Sequence, residues 1–533
     1  MALRVQALVT VGALMLAVSG GETAFAEKSG GIIKIGQFDS PAGMSILEES
    51  SYTAEGPMMG VFNNLVLYDQ HERQNSLESV RPDLATDWLW DESRRLLTLH
   101  LRHGVQWHDG KPFTAADVKC TWDLLQGGAN EKLRLNPRKP WYRNVQEVTT
   151  SGDDEVTFHL QRPQPALLAL LASGWAPVYP CHVSQRDMRQ HPVGTGPFKF
   201  VEFKPNEVIR VTRNPDYWKP GRPYLDGIVY PIIKNPATRL LALASGDIDM
   251  IHPYSVTPAL LKEVMSQVPS ASCDLVPQNV SRDLLINRSQ PPFDDSNLRR
   301  AMALSLDRKS FVDILEDGKG DIGAAMLPPP EGRWGMPLDM VAALPGYGLE
   351  VSKNRGEARQ IMQGLGWGPD RRLSVKVSTR NTTPLVNAAV VLIDQLKEIY
   401  IDGELEPVDN AQWFAKIMRH DYAVALGLTL NAIDDPDQIF YETYACGAEN
   451  NPDGYCNPEI NQLIDRQSAE VDEQRRRTLV WEIERRLAED GARPIIYHSR
   501  QATCRRSYVK GFNAMVNSVY NSWRFEDLWL DKK

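Results

Sequence analysis

The histidines His100, His103 and His108 form the one histidine cluster in the chain, and metal or catalytic chemistry would be sought there first. If their segment is a strand, His100 and His103 point to opposite faces and cannot both reach one metal ion without a bend. The sequence contains no G-x-S-x-G, no H-E-x-x-H and no Walker-type phosphate loop. The residues therefore predict no catalytic residue, no metal site and no cofactor, and we expect a protein that is not an enzyme.

The elements that position these histidines lie in Leu96–Trp122. Leucines alternate with polar residues over Leu97–Leu101, which is the period of a half-buried strand. Asp109-Gly110 is a tight-turn dipeptide. Thr114, with Asp117 three residues later, resembles an acidic capping box that opens a helix. The segment predicts a strand, a hairpin and a helix in an α/β protein.

Two longer apolar patterns predict helices in the second half of the chain. Leu298–Leu315 carries a helical apolar stripe and predicts one continuous helix. Val471–Ala488 predicts another, with Asp472 as its N-cap. Its Arg475–Arg477 run is interpreted as a solvated helix face, with a binding patch as the alternative.

Several ordered blocks of the sequence resemble one protein family. The blocks are RPDLATDW at Arg81–Trp88, HLRHGVQWHDGKPFTAADV at His100–Val118, VGTGPFKF at Val193–Phe200, RNPDYWKPGRPYLDGI at Arg213–Ile228, ALASGDIDM at Ala242–Met250, PPFDDSNLRRAMALSLDR at Pro291–Arg308 and YCNPEINQLIDRQS at Tyr455–Ser468. This pattern is similar to that of the family 5 solute-binding proteins, the extracytoplasmic receptors of peptide, opine and nickel ABC importers. The resemblance covers essentially the whole chain after its first 26 residues.

The resemblance implies the two-lobed periplasmic binding protein fold of type II, in its large form with an extra subdomain and a ligand cleft between the lobes. We expect lobe 1 at residues 27–285, with an inserted subdomain at about 50–190. Lobe 2 is expected at residues 286–497, and residues 498–533 return to lobe 1. The crossovers are placed near Leu284–Arg288 and Ile495–His498. Two crossing segments of this kind form a hinge that lets the lobes close over a ligand.

The resemblance also implies ligand-binding segments. Glu55, after the opening strand, is a candidate pocket residue, and a solvated loop carboxylate is the alternative. In dipeptide-binding relatives an arginine at the position of Arg380 receives the ligand carboxylate, which a guanidinium can bind with two hydrogen bonds. A surface arginine is the alternative there.

A further implied ligand segment departs from the pattern of peptide-binding relatives, Trp-x-x-Asp-x-x-x-Pro, whose aspartate pairs with the peptide ammonium. With the proline at Pro436, Thr429 occupies the tryptophan position and Ala432 the aspartate position; Asn431 lies between them. A buried ammonium without a carboxylate partner is costly, so classical peptide recognition is not expected unless Asp434 substitutes.

Residues 1–26 read as a secretory signal peptide, with Arg4, the apolar run Val9–Val18 and the cleavage site Ala24-Phe25-Ala26. Export to the periplasm would permit disulfides among the six cysteines. The family resemblance and the short spacing favour a pair between Cys446 and Cys456. The pairing of Cys120, Cys181, Cys273 and Cys504 stays open.

The net charge of −9 argues against nucleic acid or an anionic membrane as the main partner. We therefore expect a monomeric receptor that passes a small polar solute, peptide-like, opine-like or otherwise anionic or zwitterionic, to an ABC permease. A periplasmic chaperone or carrier for polypeptides is the alternative. Its distinguishing sign would be an open, apolar cleft that never closes on a small molecule.

Overall fold

The computed structural model describes residues 27–49, 51–448, 451–517, 521 and 523–532. The expected signal peptide, Met1–Ala26, lies outside them.

The strands are β1 (Ile32–Gly36), β2 (Val66–Tyr68), β3 (Val80–Pro82), β4 (Ala85–Trp90), β5 (Leu96–Leu101), β6 (Val145–Ser151), β7 (Glu155–Leu160), β8 (Phe198–Lys204), β9 (Val208–Arg213), β10 (Gly227–Pro231), β11 (Met250–Ile251), β12 (Ala271–Ile286), β13 (Leu373–Arg380), β14 (Ile401–Val408), β15 (Val424–Leu430), β16 (Ile495–Arg506), β17 (Val509–Lys510) and β18 (Trp529–Leu530). The helices are α1 (Tyr52–Met58), α2 (Ala115–Gln126), α3 (Leu167–Ala172), α4 (Gln185–Gln190), α5 (Pro236–Ser245), α6 (Pro258–Gln267), α7 (Ser296–Ser305), α8 (Arg308–Leu315), α9 (Leu338–Ala342), α10 (Val351–Gly364), α11 (Thr383–Lys397), α12 (Asn410–Met418), α13 (Pro436–Ile439), α14 (Pro458–Ala469) and α15 (Glu473–Glu489).

A ten-stranded sheet runs through both lobes in the order β14-β13-β15-β12-β16-β11-β1-β10-β9-β8. β1 pairs in parallel with β10 and β11 in the first lobe, and β13 pairs in parallel with β14 and β15 in the second. The long strands β12 and β16 are antiparallel neighbours between these two groups. The two-lobed α/β architecture expected from the sequence is confirmed.

The pairing between β12 and β16 is interrupted between Pro277 and Ser281, where Asn279 adopts a positive φ of 56°. Before the interruption β12 pairs with the end of β16, and beyond it β12 also pairs with β15. The interruption lies N-terminal to the crossover expected at Leu284–Arg288. The division of the chain into 27–285, 286–497 and 498–533 stays a prediction.

The inserted subdomain contains an antiparallel sheet in the order β4-β5-β7-β6, against which α2 packs. Leu97, Leu99 and Leu101 are buried, as their alternation predicted. Thr114 and Asp117 form the predicted capping box at the start of α2. The local signals in this segment were therefore sufficient to place its strand and its helix.

The predicted continuous helix over Leu298–Leu315 is wrong, because the structure divides it into α7 and α8. Leu306 leaves the helical conformation, and the Asp307 carboxylate accepts a hydrogen bond of 3.0 Å from the backbone N–H of Ser310. An aspartate that satisfies a free N–H at a helix start competes with continuation of the preceding helix.

Each lobe has its own apolar core. Trp107, Trp122 and Phe158 belong to the core of the first lobe, whereas Val377 and Leu392 belong to that of the second. A chain of this length exceeds the size at which one core keeps growing. Within the described ranges, none of the helices combines the length and apolar character that a membrane span requires.

The six cysteines form disulfides within single lobes. Cys446 pairs with Cys456 across a separation of 10 residues. The pairs that the sequence left open are Cys120–Cys181 in the inserted subdomain and Cys273–Cys504 between β12 and β16.

Candidate functional site

Side-chain contacts connect the inserted subdomain with the second lobe. The Gln164 amide donates a hydrogen bond of 3.0 Å to the Asp437 carboxylate at the start of α13. The Arg162 guanidinium lies 3.6 Å from the Asp465 carboxylate. The Trp141 indole N–H donates to Glu442. The two lobes therefore contact each other across the cleft.

Two cavities lie between the lobes. Cavity A has a volume of about 290 Å³, and its lining includes Trp141, Asn144, Arg162, Gln164, Asp437, Tyr441, Glu442 and Asp465. Cavity B has a volume of about 240 Å³, and its lining includes Tyr68, Leu77, Glu78, Ala169, Arg333, Trp334, Asp434, Asp435, Glu470, Glu473 and Arg476. Both cavities are lined by residues of both lobes and by many polar side chains. They are close to the lower end of the volume range of small-molecule sites.

The acidic run Asp434-Asp435-Pro436-Asp437 begins α13 and contributes to both cavities. Asp437 accepts hydrogen bonds from Gln164, from Gln467 at 2.7 Å and from Ser468 at 2.8 Å. Asp435 caps α13 by accepting from the backbone N–H of Asp437. The hydrogen-bonding capacity of Asp435 and Asp437 is thus taken up by the protein itself.

Arg476 supplies the counter-ion for this run. Its guanidinium donates to both oxygens of Asp435, at 2.9 and 2.7 Å, and to Asp437 at 3.2 Å. Burial alone would lower the pKa of Arg476, but Asp435 and Asp437 outweigh that effect and raise it. Arg476 is only 2% exposed, so its assignment to a solvated helix face is wrong.

The neighbours Arg475 and Arg477 do pair with surface glutamates, at 3.0 and 2.6 Å. Arg476 differs from them because it lies one helical turn before Val480 and two turns before Ile483, both fully buried. That spacing was the signal in the sequence that could have identified it. The predicted helix itself is confirmed, with the Asp472 side chain as its N-cap.

Asp434 is the member of the run that keeps an unused oxygen. Its Oδ2 accepts from the backbone N–H of Arg333 at 2.8 Å and from the Asn517 amide at 3.1 Å. Its Oδ1 is buried and accepts no hydrogen bond from the described residues. Burial raises the pKa of Asp434 to about 7, against the lowering effect of these hydrogen bonds. This unused buried oxygen distinguishes Asp434 from Asp435 and Asp437.

Glu55 is fully buried on α1, with 0% of its surface exposed. Neither of its oxygens accepts a hydrogen bond from the described residues. Burial raises the pKa of Glu55 well above its usual value, and the charge of Arg138 opposes this shift. The alternative of a solvated loop carboxylate is therefore excluded.

The segment Thr429–Ala432 lies where β15 ends beside the interruption in β12. The Thr429 hydroxyl donates to Asp283, and the Asn431 amide donates to Asn279 at 3.2 Å. The backbone N–H of Ala432 donates to Gln438 at 2.9 Å. The Asn431 Oδ1 is buried without a hydrogen bond from the described residues. The hydrogen bonds of Thr429 and Asn431 thus join the end of β15 to β12, whereas that of Ala432 leads to Gln438 on α13.

Arg380 is the last residue of β13, at the carboxyl end of the parallel strands of the second lobe. Its guanidinium lies 5.0 Å from the ring centre of Phe414 and 6.0 Å from that of Trp413, both on α12. It is partly exposed and does not line cavity A or cavity B. The carboxyl end of parallel strands is the usual side for ligand binding in open α/β sheets.

Comparison with known proteins decides the family. The model of the bacterial extracellular solute-binding proteins, family 5, matches residues 79–451. This chain belongs to the family 5 solute-binding proteins. Members of this family are receptors for substrates and not enzymes.

The relatives of this family 5 protein are distant in sequence and close in fold. The probable di/tripeptide-binding protein 5 of Pseudomonas aeruginosa (strain UCBPP-PA14) is 22% identical, with 89% of this chain and 91% of the relative covered. The DppA protein of Helicobacter pylori, solved with the peptide STSA, has a TM-score of 0.79 at 20% identity, covering 95% and 99%. AgaA from A. tumefaciens R10, solved with agropinic acid, has a TM-score of 0.79 at 22% identity, covering 94% and 99%.

The three histidines singled out in the sequence, His100, His103 and His108, each contact a different residue. His100 interacts with Asp87, and His103 lies 3.3 Å from Asp154, both at the surface. His108 donates to the Gly196 carbonyl at 3.0 Å, and burial lowers its pKa to about 4. In the part of the chain that the structure describes, no three His, Cys, Asp or Glu side chains are grouped to hold a metal ion.

Proposed function

We propose that this family 5 protein is the extracytoplasmic receptor of an ABC importer. It captures a small peptide-like or opine-like solute between its lobes and delivers it to a membrane permease. The observation that carries the proposal is the pair of cavities between the lobes, whose walls come from both lobes and include charged side chains. Closure around a ligand buries it, and the permease would recognise the closed form. The location would be the periplasm, after removal of a signal peptide at residues 1–26.

We assign the ligand contacts to the predicted residues according to their hydrogen bonds. Asp434, which lines cavity B, holds an unused buried oxygen that is costly unless a ligand donor satisfies it. Glu55 and Asn431 also hold such oxygens, but they lie outside the described linings of cavities A and B, so their contact with a ligand stays a prediction. Thr429 and Ala432 would act indirectly: Thr429 holds the end of β15 against β12, and the N–H of Ala432 holds Gln438, which lines cavity A. Arg380 would receive a ligand carboxylate at the open end of β13.

The polypeptide carrier is not favoured by any observation. An open apolar cleft was its distinguishing sign, whereas contacts such as Gln164–Asp437 join the two walls of cavity A, and charged side chains line both cavities.

The test is a thermal-shift screen of residues 27–533 against dipeptides, opines, amino acids and oligosaccharides. A ligand at about 100 times its dissociation constant stabilises the folded state by about 2.7 kcal/mol. We expect a rise in melting temperature with a dipeptide or an opine. Oligosaccharides as the only ligands, or stabilisation by none of the compounds, would contradict the proposal.

Arg380→Ala tests the carboxylate contact. It should weaken binding of a carboxylate ligand, with no such loss in Arg372→Ala, because Arg372 lies just before the opposite end of β13 and pairs with Asp402 at 2.9 Å. Equal affinities in the two variants would remove Arg380 from the site.

A further inference from the structure

Three hydrogen bonds join the inserted subdomain to the second lobe around cavity A. The donor and acceptor pairs are Trp141 to Glu442, Arg162 to Tyr441 and Gln164 to Asp437. Gln164 and Asp437 are 4% and 2% exposed, so water competes little for the bond of 3.0 Å between them. These three hydrogen bonds are called the subdomain clamp, and the closed form is the arrangement in which they are made.

The subdomain clamp connects two bodies that can move relative to each other. The inserted subdomain shares one apolar core with the first lobe, to which Ile33 of β1 and Trp122 of α2 both belong. Val377 and Leu392 belong to the separate core of the second lobe. The paired strands β12 and β16 lie between these two bodies, and their ladder is interrupted at Pro277–Ser281. Opening at this hinge would therefore separate the clamp residues.

The second-lobe partners of the clamp are fixed by contacts within their own lobe. Glu442 accepts a hydrogen bond of 2.6 Å from the Gln438 amide, and the Tyr441 hydroxyl donates to Asp465 at 2.7 Å. Asp437 keeps the hydrogen bonds from α14 and α15 described above. Side chains that are already ordered lose little rotational freedom when the lobes meet.

The subdomain partners are ordered in the same way. The Asn144 amide donates to the Gln164 side chain at 3.1 Å and to the Arg162 carbonyl at 2.9 Å. The Arg138 guanidinium lies 5.2 Å from the ring centre of Trp141, a cation–π contact that helps to hold the indole in place. Both sides of the clamp are thus preorganised, and each of its three hydrogen bonds is made between protein groups.

We propose that the subdomain clamp makes the closed form the major form of the protein before a solute binds. A single net hydrogen bond shifts an equilibrium about fivefold, so three independent ones shift it about a hundredfold. A solute then selects a conformation that the protein already populates, and it enters during brief openings of the clamp. The proposal goes beyond the receptor function, and it applies whichever solute is bound.

Pulsed electron paramagnetic resonance tests the proposal by measuring the distance between spin labels on the two bodies without added solute. The labels are attached in Leu89→Cys on the inserted subdomain and Leu349→Cys on the second lobe, because these side chains are 67% and 83% exposed. The protein, residues 27–533, is unfolded and refolded first, which removes any solute acquired during expression. We expect one dominant distance, equal to that of the closed form.

Two substitutions weaken the clamp at different hydrogen bonds. Gln164→Ala removes the buried amide, and Trp141→Phe removes the indole N–H but keeps an aromatic ring beside Arg138. Each should reduce the preference for the closed form about fivefold, and the double variant should place about a fifth of the molecules in an open form with a longer distance. Gln161→Ala is the matched control, because Gln161 also lines cavity A but is not part of the clamp. Circular dichroism and melting curves establish that the variants are folded.

The outcomes separate this proposal from the receptor function. A longer dominant distance in the protein with its native clamp would overturn the proposal, because the open form would then be the major one. An unchanged distance distribution in the double variant would overturn it as well, and so would an equal shift in Gln161→Ala. Failure of the thermal-shift screen would contradict the receptor function, whereas the spin-label distances would still support the closed form.

Discussion

Replacement of Arg476 by methionine removes the counter-ion of two buried aspartates while keeping an unbranched side chain in the helix. The native guanidinium makes two hydrogen bonds to Asp435, one to Asp437 and two to Gln467, each between 2.7 and 3.2 Å. After the substitution Asp437 keeps its donors from Gln164, Gln467 and Ser468. Asp435 loses both of the hydrogen bonds that its carboxylate accepted from the charged guanidinium.

The expected loss of unfolding free energy follows from the charge that Asp435 would keep without its counter-ion. Removal of one member of a buried ion pair typically destabilises a protein by about 3–5 kcal/mol, because the other charge stays buried without compensation. The same substitution at Arg475 provides a matched control, since its side chain is 68% exposed and forms its ion pair, among the described residues, with Glu470. We expect no measurable change for Arg475→Met, because exposed ion pairs contribute little.

Urea denaturation measures both variants against the native chain, with the slope of the transition as a check that the same structure unfolds. A second substitution, Asp435→Asn, should recover a large part of the stability lost in Arg476→Met, because it removes the stranded charge. If Arg476→Met and Arg475→Met shift the midpoint equally, the buried network does not stabilise the second lobe as argued.

Three further perturbations test other parts of the structure. Asp307→Ala removes the N-cap of α8 and should cost about 1 kcal/mol in urea denaturation, so an unchanged midpoint would contradict the assigned cap. Burial raises the pKa of Glu484 from 4.5 to about 8, so its folded-state proton stabilises the protein below pH 4.5 and that contribution is lost as the pH approaches 8. The fall in unfolding free energy over this interval should be smaller in Glu484→Gln, and an identical pH profile would refute the assignment. Replacement of Cys273 and Cys504 by alanine should lower stability by about 2–5 kcal/mol, because the bond closes a loop of 231 residues; an unchanged melting temperature would rule out this contribution.

Local signals in the sequence predicted local structure well. The capping box at Thr114 and Asp117, the leucine alternation of β5 and the cap at Asp472 all appear in the structure. These features depend on neighbours within a few residues. The break at Asp307 was missed because the apolar stripe continues across it, although an aspartate three residues before Ser310 was a visible N-cap signal.

The site was harder to predict because its contacts join distant parts of the chain. Gln164 and Asp437 are 273 residues apart, and no spacing in the sequence brings them together. The family resemblance implied a cleft and named Glu55 and Asp434, but the unused buried oxygens of these residues became visible only in the structure. The prediction for Arg476 was wrong because the three consecutive arginines were treated as one exposed group. Their positions on the helix differ, and the middle arginine lies on the buried face of α15.

The paired strands β12 and β16 determine what kind of opening motion the lobes can make. Two antiparallel strands form a ribbon, which bends out of its plane more easily than it shears along its length, because sliding would break every hydrogen bond of the ladder at once. Cys273–Cys504 fixes the first-lobe end of this ribbon, and the interruption at Pro277–Ser281 removes hydrogen bonds a few residues away. The two paired strands should therefore bend most easily at this interruption. The lobes should separate by rotation about an axis near Asn279, and their relative translation should stay small.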